Sequence, residues 1–214
     1  MPLFKTIPIP KGLIGLWKFT ETTADLLPHF SEDELADPTF RKYTHEKRKL
    51  EWLATRMLIR QLIGPDFTVS YLDSGKPILN HGQFKHISIS HSGDFAAVIL
   101  HEYLNVGIDV EETTRDFTRI EKRYLSDNEL IQTDKNPKLK SLFWCAKEAI
   151  FKLVPEEGID FRQQVEISLL NNEIENRFSA QFKSGNMVSV YQLHYHFFSS
   201  QCLAWVIENS TMQE

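Results

Sequence analysis

Three short stretches hold residues whose types and spacing could do chemistry. Gly107-Ile108-Asp109-Val110-Glu111 puts two carboxylates on one face of an extended strand, because side chains alternate with period two, and turns Ile108 and Val110 the other way. Trp144-Cys145-Ala146-Lys147-Glu148-Ala149-Ile150-Phe151-Lys152 spaces Trp144, Glu148 and Lys152 four residues apart, which aligns them along one helix face. Ser88-Ile89-Ser90-His91-Ser92 offers hydroxyls and an imidazole at a strand end. Three carboxylates converging in a cleft repel one another. A hard divalent cation relieves that repulsion, and magnesium takes oxygen ligands while leaving positions for substrate phosphates. Lys147 and Lys152 beside such a cation suit a pyrophosphate. The plainer alternatives are an exposed strand edge and a solvated helix face carrying a Glu–Lys pair.

These side chains need elements to hold them. Leu139, Leu142, Phe143, Ala146, Ala149, Ile150 and Leu153 recur at three- and four-residue steps, so Pro137 to Val154 reads as one amphipathic helix. Pro137 suits its first turn and Pro155 stops it. Thr44 is a plausible N-cap for another helix reaching Ile63, with Gly64-Pro65 beyond it. Ser31-Glu32-Asp33-Glu34 and Ser126-Asp127-Asn128-Glu129 are capping boxes, and Phe117–Tyr124 reads as helical. Strands are expected at Leu13–Phe19, Thr68–Leu72, Pro77–Leu79, His86–Ser90, Phe95–Leu100, Val106–Glu111, Val165–Leu170, Arg177–Phe182, Val188–Phe198 and Gln201–Glu208. Each half of the chain is thus a long helix followed by antiparallel strands. Ser92–Ile99 overlays Ser200–Ile207 with four identities in eight positions. Either buried strands resemble one another or the unit is duplicated about a pseudo-two-fold axis, with a ligand cleft at the join near Glu102–Asn105.

The totals exclude several classes. The 214 residues are 42% hydrophobic and 25% charged, an ordinary globular balance. No apolar run is long enough to span a membrane, and Met1–Gly12 lacks a signal core, so a cytoplasmic protein without a membrane partner is expected. The net charge of −5 argues against nucleic acid as a partner. Seven basic residues (Arg41, Lys42, Lys47, Arg48, Lys49, Arg56, Arg60) stand against Glu46 and Glu51 in one segment, however, which suggests a small anionic partner. Cys145 and Cys202 read as buried thiols. His45-Glu46 and His101-Glu102 lack the second histidine of a zinc helix, and His194 and His196 alone are too few for a metal site.

Taken together, the stretches resemble the 4'-phosphopantetheinyl transferases of the two-lobed surfactin type. The match rests on Gly107–Glu111, Trp144–Lys152, Lys122-Arg123-Tyr124-Leu125-Ser126 with Glu129, Ser88–Ser92 and Gly75-Lys76-Pro77, all in family order. The resemblance implies an α+β fold of two similar lobes, residues 1–104 anchoring coenzyme A and 105–214 carrying the metal and catalytic residues. It implies a monomer that moves phosphopantetheine from coenzyme A to a serine of an apo acyl or peptidyl carrier protein, leaving adenosine 3',5'-bisphosphate. Fatty-acid synthesis is one setting. By the same resemblance Asp109, Glu111 and Glu148 hold magnesium, Glu148 is the general base, and Lys152 with Lys147 neutralises the pyrophosphate. Lys76-Pro77 sits at the adenine, Ser90-His91 at the phosphates, and Lys47, Arg48 or Arg56 at the 3'-phosphate. The Glu111-to-Trp144 segment, which the family turns toward the carrier, is shorter than in the broad-range surfactin enzyme. A coenzyme A- or carrier-binding module without catalysis, or a metal-dependent phosphohydrolase, are the other classes this constellation could serve.

Overall fold

The computed structural model describes residues 3–154, 156, 158–168 and 176–208. The elements run β1 (Leu3–Ile9), β2 (Gly12–Lys18), α1 (Thr23–Leu26), α2 (Glu32–Leu35), α3 (Pro38–Lys42), α4 (Glu46–Ile63), β3 (Thr68–Tyr71), β4 (Pro77–Asn80), β5 (His86–Ser92), β6 (Phe95–His101) and β7 (Val106–Glu112). They continue as α5 (Glu121–Tyr124), α6 (Asp127–Gln132), α7 (Pro137–Leu153), α8 (Phe161–Gln164), β8 (Val165–Ser168), β9 (Arg177–Ser184), β10 (Met187–Phe198) and β11 (Gln201–Ile207). Every strand pair is antiparallel. One sheet has the order β1-β2-β6-β5, a second β7-β11-β10-β9-β8, and β3-β4 form a separate hairpin. The fold is α+β, as expected.

The duplication is visible in the connectivity. In the first lobe the chain runs β2, α4, β5, β6, and β6 inserts between β2 and β5. In the second it runs β7, α7, β10, β11, and β11 inserts between β7 and β10. The stretch Ser92–Ile99 therefore overlays Ser200–Ile207 because both enter the strand that inserts beside β2 or β7. Gly15 and Gly107 are equivalent: they pair with Val98 and Val206, and face Leu58 and Leu62 of α4, or Ala149 and Leu153 of α7.

Period-two alternation builds the core in layers. Ile14, Leu16, Ala97, Ile99, Ile108, Val110 and Leu203 pack the two sheets against each other. The opposite faces receive the helices: Trp17, Ala96 and Val98 meet Leu53, Met57 and Leu58 of α4, while Ala204 and Val206 meet Cys145, Ala146 and Ala149 of α7. All seven residues of β6 are buried, which matches the apolar run Phe95–Leu100; His101 is the buried polar end.

Several strand bounds shift by one or two residues, and other differences from expectation are larger or concern caps. The first strand, Leu3–Ile9, is absent from the sequence reading; its Pro8 is tolerated because β1 is an edge strand. The N-cap of α4 is His45, not Thr44, and makes no side-chain cap bond. Only Glu121–Tyr124 of the expected Phe117–Tyr124 helix is helical. Both expected capping boxes form, and Thr22 with Asp25 makes a third. Helix α7 closes with the Val154 N–H on the Ile150 carbonyl; Pro155 and the strand end expected at Leu170 lie outside the described residues. Among the described residues, no helix is long and apolar enough to cross a membrane.

Candidate active site at the lobe junction

The site lies where the edge strand of one sheet runs beside the edge strand of the other. Strands β5 and β7 share no backbone ladder. Alternate serines of β5 bridge them. Ser88 Oγ accepts from the Ile108 N–H at 3.2 Å and Ser90 Oγ from the Val110 N–H at 3.3 Å. Ser90 Oγ donates to Asp109 Oδ1 at 2.6 Å, and the Ser92 hydroxyl donates to Glu111 Oε1. The expected Ser-His-Ser stretch is thus a hydroxyl zipper that aims both carboxylates of β7.

Helix α7 supplies the rest. Gly107 lets the helix come close: a Cβ there would lie 1.9 Å from the Ala149 carbonyl oxygen. That contact sets Lys152 so that its Nζ donates to Asp109 Oδ1 at 2.7 Å and to the Ile108 carbonyl at 3.0 Å. Glu148, half-buried one turn earlier, has its pKa pushed up to about 7. Burial is the main cause and the charge of Asp109 the second; Lys152 and Arg115 pull the other way, and Glu111 adds to the rise. Trp144 packs edge-on to Tyr124 and Phe161, with ring centroids 5.1 and 6.1 Å away. Phe151 is more exposed and stacks edge-on with Phe161 at 5.9 Å.

The facing wall belongs to the first lobe. Thr55 Oγ1 gives its proton to the Glu51 carbonyl at 2.7 Å, so His91 Nε2, also at 2.7 Å, donates to that oxygen. Burial first, then the charges of Lys152, Arg48, Arg56 and Lys47, holds the His91 pKa down to about 3. The ring is therefore neutral, and four cations from both lobes point their field at one place. Such a field suits a polyanion. Arg48 is exposed and pairs with the buried Glu51 at 2.9 Å, while Lys47 is exposed beside it. Lys76, in the turn before Pro77, donates to the Leu153 carbonyl at 3.4 Å, so this first-lobe turn is tied to the end of α7.

Two expected ligands are placed differently. Lys147 is fully buried and faces away from the cleft. Its Nζ donates to Glu129 Oε2 at 2.7 Å, the Phe161 carbonyl at 2.9 Å and the Val165 carbonyl at 2.6 Å, using all three of its protons. The expectation that it sits beside a pyrophosphate is corrected: it joins α6, α8 and β8. Arg56, its equivalent in the first lobe by the glycine register, is also buried. It donates to the Val69 carbonyl at 3.3 Å and Tyr71 Oη at 3.0 Å and lies 4.5 Å from the Trp52 ring centroid. Each lobe thus uses one buried cation to fasten its helix to the next strand. In the same register Trp17 and Met57 stand where Asp109 and Glu148 stand, so only the second lobe carries the acids.

The donor set, three carboxylates, is of the type a hard divalent cation takes, and the Glu148 pKa is raised by burial first and then by Asp109 and Glu111. In the present arrangement Lys152 and Ser90 hold Asp109, and Arg115, Ser92 and the Glu112 N–H hold Glu111. Among the described residues, no three His, Cys, Asp or Glu side chains are gathered closely enough to hold a metal ion. Missed by sequence reasoning are Arg115, Thr55, the bond from Ser92 to Glu111 and the fitting role of Gly107. Nothing in the loop sequence marks Arg115, whereas the period-two spacing of Ser88, Ser90 and Ser92 beside that of Asp109 and Glu111 is the signal for the Ser92–Glu111 pairing.

A family model described as the 4'-phosphopantetheinyl transferase superfamily matches residues 105–208. Two curated relatives are each 32% identical over 81 residues: 4'-phosphopantetheinyl transferase AcpT of Salmonella typhi and AcpT of Salmonella typhimurium strain LT2. The matched segment is 38% of this chain and spans 42% of the length of each relative.

Proposed function

We propose that the protein transfers 4'-phosphopantetheine from coenzyme A to a serine of an apo acyl or peptidyl carrier protein, a reading supported by the match of residues 105–208 to the 4'-phosphopantetheinyl transferase superfamily. The observation that carries this reading is the coupling of two motifs across the second lobe: Lys152 bonds Asp109 at 2.7 Å, and Glu148 feels Asp109, Glu111 and Lys152 together. The carboxylate unit faces a first-lobe wall of cations, which suits a nucleotide bearing several phosphates.

In the proposed reaction the carrier serine oxygen attacks the phosphorus that bears pantetheine. The new P–O bond forms as the phosphoanhydride bond breaks, and adenosine 3',5'-bisphosphate leaves with the bonding pair. Glu148, with a pKa near neutrality, takes the serine proton directly or through water; a positioned base is typically worth about 10²–10⁴ in rate. Lys152 neutralises charge on the pyrophosphate, and neutral His91, its ring proton given to Thr55, borders the phosphates without adding charge. Exposed Lys47 and Arg48 take the 3'-phosphate; buried Arg56 adds its field and shapes the wall. Lys76 and Pro77 border the adenine. Asp109, Glu111 and Glu148 would hold magnesium, whose charge would stabilise the pyrophosphate oxygens as the bond breaks. The protein acts as a cytoplasmic monomer.

The test mixes the full chain with coenzyme A, a magnesium salt and apo carrier proteins, and follows each carrier's intact mass. A phosphopantetheine gain on one carrier supports the reading. No gain across fatty-acid, polyketide and peptide carriers sinks it.

A further inference from the structure

Among the described residues, Arg115 is the one cation at the site that belongs to none of the sequence stretches. It follows β7 in the turn toward α5, and its guanidinium is ion-paired with Glu111 Oε2. The same group lies 5.1 Å from the Phe117 ring centroid and 5.2 Å from that of Trp144, so two aromatic faces support it. Its charge also pulls the Glu148 pKa down against burial. The side chain is 40% exposed, so it can turn outward without opening a core.

The charges at the site are arranged as if waiting. Asp109 is held by Lys152 and Glu111 by Arg115. Lys152 holds Asp109 by Oδ1, so a divalent cation can take Oδ2 without moving it. Arg115 holds Glu111 by Oε2 while Ser92 and the Glu112 N–H hold Oε1, so a cation that takes Glu111 meets the guanidinium and sets its charge free beside the place where a pyrophosphate would lie. Lys152 is part of the family motif; Arg115 is not. Its fork matches phosphate oxygens as well as it matches a carboxylate.

We infer that Arg115 is an exchangeable counterion. Without a divalent cation it neutralises Glu111; when Glu111 turns to the cation, the guanidinium passes to the phosphate oxygens of the substrate while staying on its aromatic support. The inference rests on the coenzyme A reading above.

The test compares wild type with Arg115→Met and Arg115→Lys, all as full chains. Manganese alone is titrated by electron paramagnetic resonance of the free ion, and coenzyme A by calorimetry at saturating manganese. Arg115→Met is expected to bind manganese alone about tenfold more tightly, because its competitor is gone, and coenzyme A about tenfold more weakly. Arg115→Lys lies between on both scales, and carries the test if the methionine variant does not fold. Opposite signs are the signature, since a merely structural arginine would weaken both. If wild type binds both and the variants match it, or if both affinities fall, the exchange is overturned and the site reading stands. If wild type binds neither manganese nor coenzyme A, both fall.

Discussion

Ser90 Oγ donates to Asp109 Oδ1 at 2.6 Å and accepts the Val110 N–H at 3.3 Å, so one hydroxyl of the first lobe holds a site carboxylate and the backbone of the second lobe at once. The residue is buried, and water cannot replace the lost partner. Ser90→Ala leaves a buried N–H unpaired, which costs about 1–3 kcal/mol. Urea unfolding should show the midpoint falling with an unchanged slope. A midpoint equal to that of wild type would mean that β5 and β7 adjust freely, contrary to the zipper.

The buried pair Lys147–Glu129 makes a different prediction from the one its motif suggests. Glu129 accepts from Lys147, from the Ser126 N–H at 2.8 Å and from the Ile167 N–H at 2.8 Å. Burial lowers the Lys147 pKa, and Glu129 offsets only part of the fall. Lys147→Met strands a buried carboxylate, at a cost of about 3–5 kcal/mol. Adding Glu129→Gln should recover part of that loss. The KM for coenzyme A of the folded fraction should not change; a raised KM with normal stability would return Lys147 to the phosphate site.

Glu148 couples stability and activity to pH in opposite senses. Its folded pKa, about 7, lies above the ordinary carboxylate value of 4.5. The group therefore favours the fold most below pH 4.5, and that contribution is lost as pH rises through about 7. Glu148→Gln removes the repelled charge and should unfold at higher urea than wild type at pH 8. As a base the residue works only when ionised, so transfer should rise with pH along an acid limb. That limb should sit at or below pH 7, moving down as divalent cation is added, because a cation favours the charged form. The same variant should lower kcat by about 10²–10⁴. An acid limb that survives in Glu148→Gln would assign the base elsewhere.

What was legible in the sequence follows from regular geometry. Period two placed Asp109 and Glu111 on one face, and the 3.6-residue period drew the α7 stripe. Lys147 was misplaced although its signal was present. It lies four residues after Phe143 and three before Ile150, inside the apolar stripe, and Glu129 of the capping box is its partner. The pull of the K-E pair in the motif outweighed that spacing. Arg115 was not legible at all, because its position depends on how a loop turns back over Trp144 and Phe117. Strand β1 was hidden by Pro8 and Pro10, whose cost vanishes at a sheet edge. The contrast between lobes became readable only when the glycines fixed the register and showed Trp17 in the place of Asp109.

Those glycines give the last prediction. A Cβ on Gly107 would lie 1.9 Å from the Ala149 carbonyl oxygen and 2.8 Å from its carbon, both backbone atoms of α7. Relief requires moving the helix, which also moves Glu148 and Lys152. The atoms nearest a Cβ on Gly15 would be the side-chain ends of Leu58 at 2.8 Å and Leu62 at 2.7 and 3.0 Å, which can change rotamer. Overpacking typically costs about 1–3 kcal/mol, and Gly107→Ala should reach or exceed the top of that range while Gly15→Ala stays near the bottom. Because about 1 Å of misplacement at a reacting centre can cost about 10²-fold, Gly107→Ala should also lose kcat in its folded fraction. Gly15→Ala should keep it. Urea unfolding and single-turnover transfer separate the two effects. Equal stability losses, or an unaffected kcat in Gly107→Ala, would show that the close approach of β7 and α7 does not set the position of Glu148.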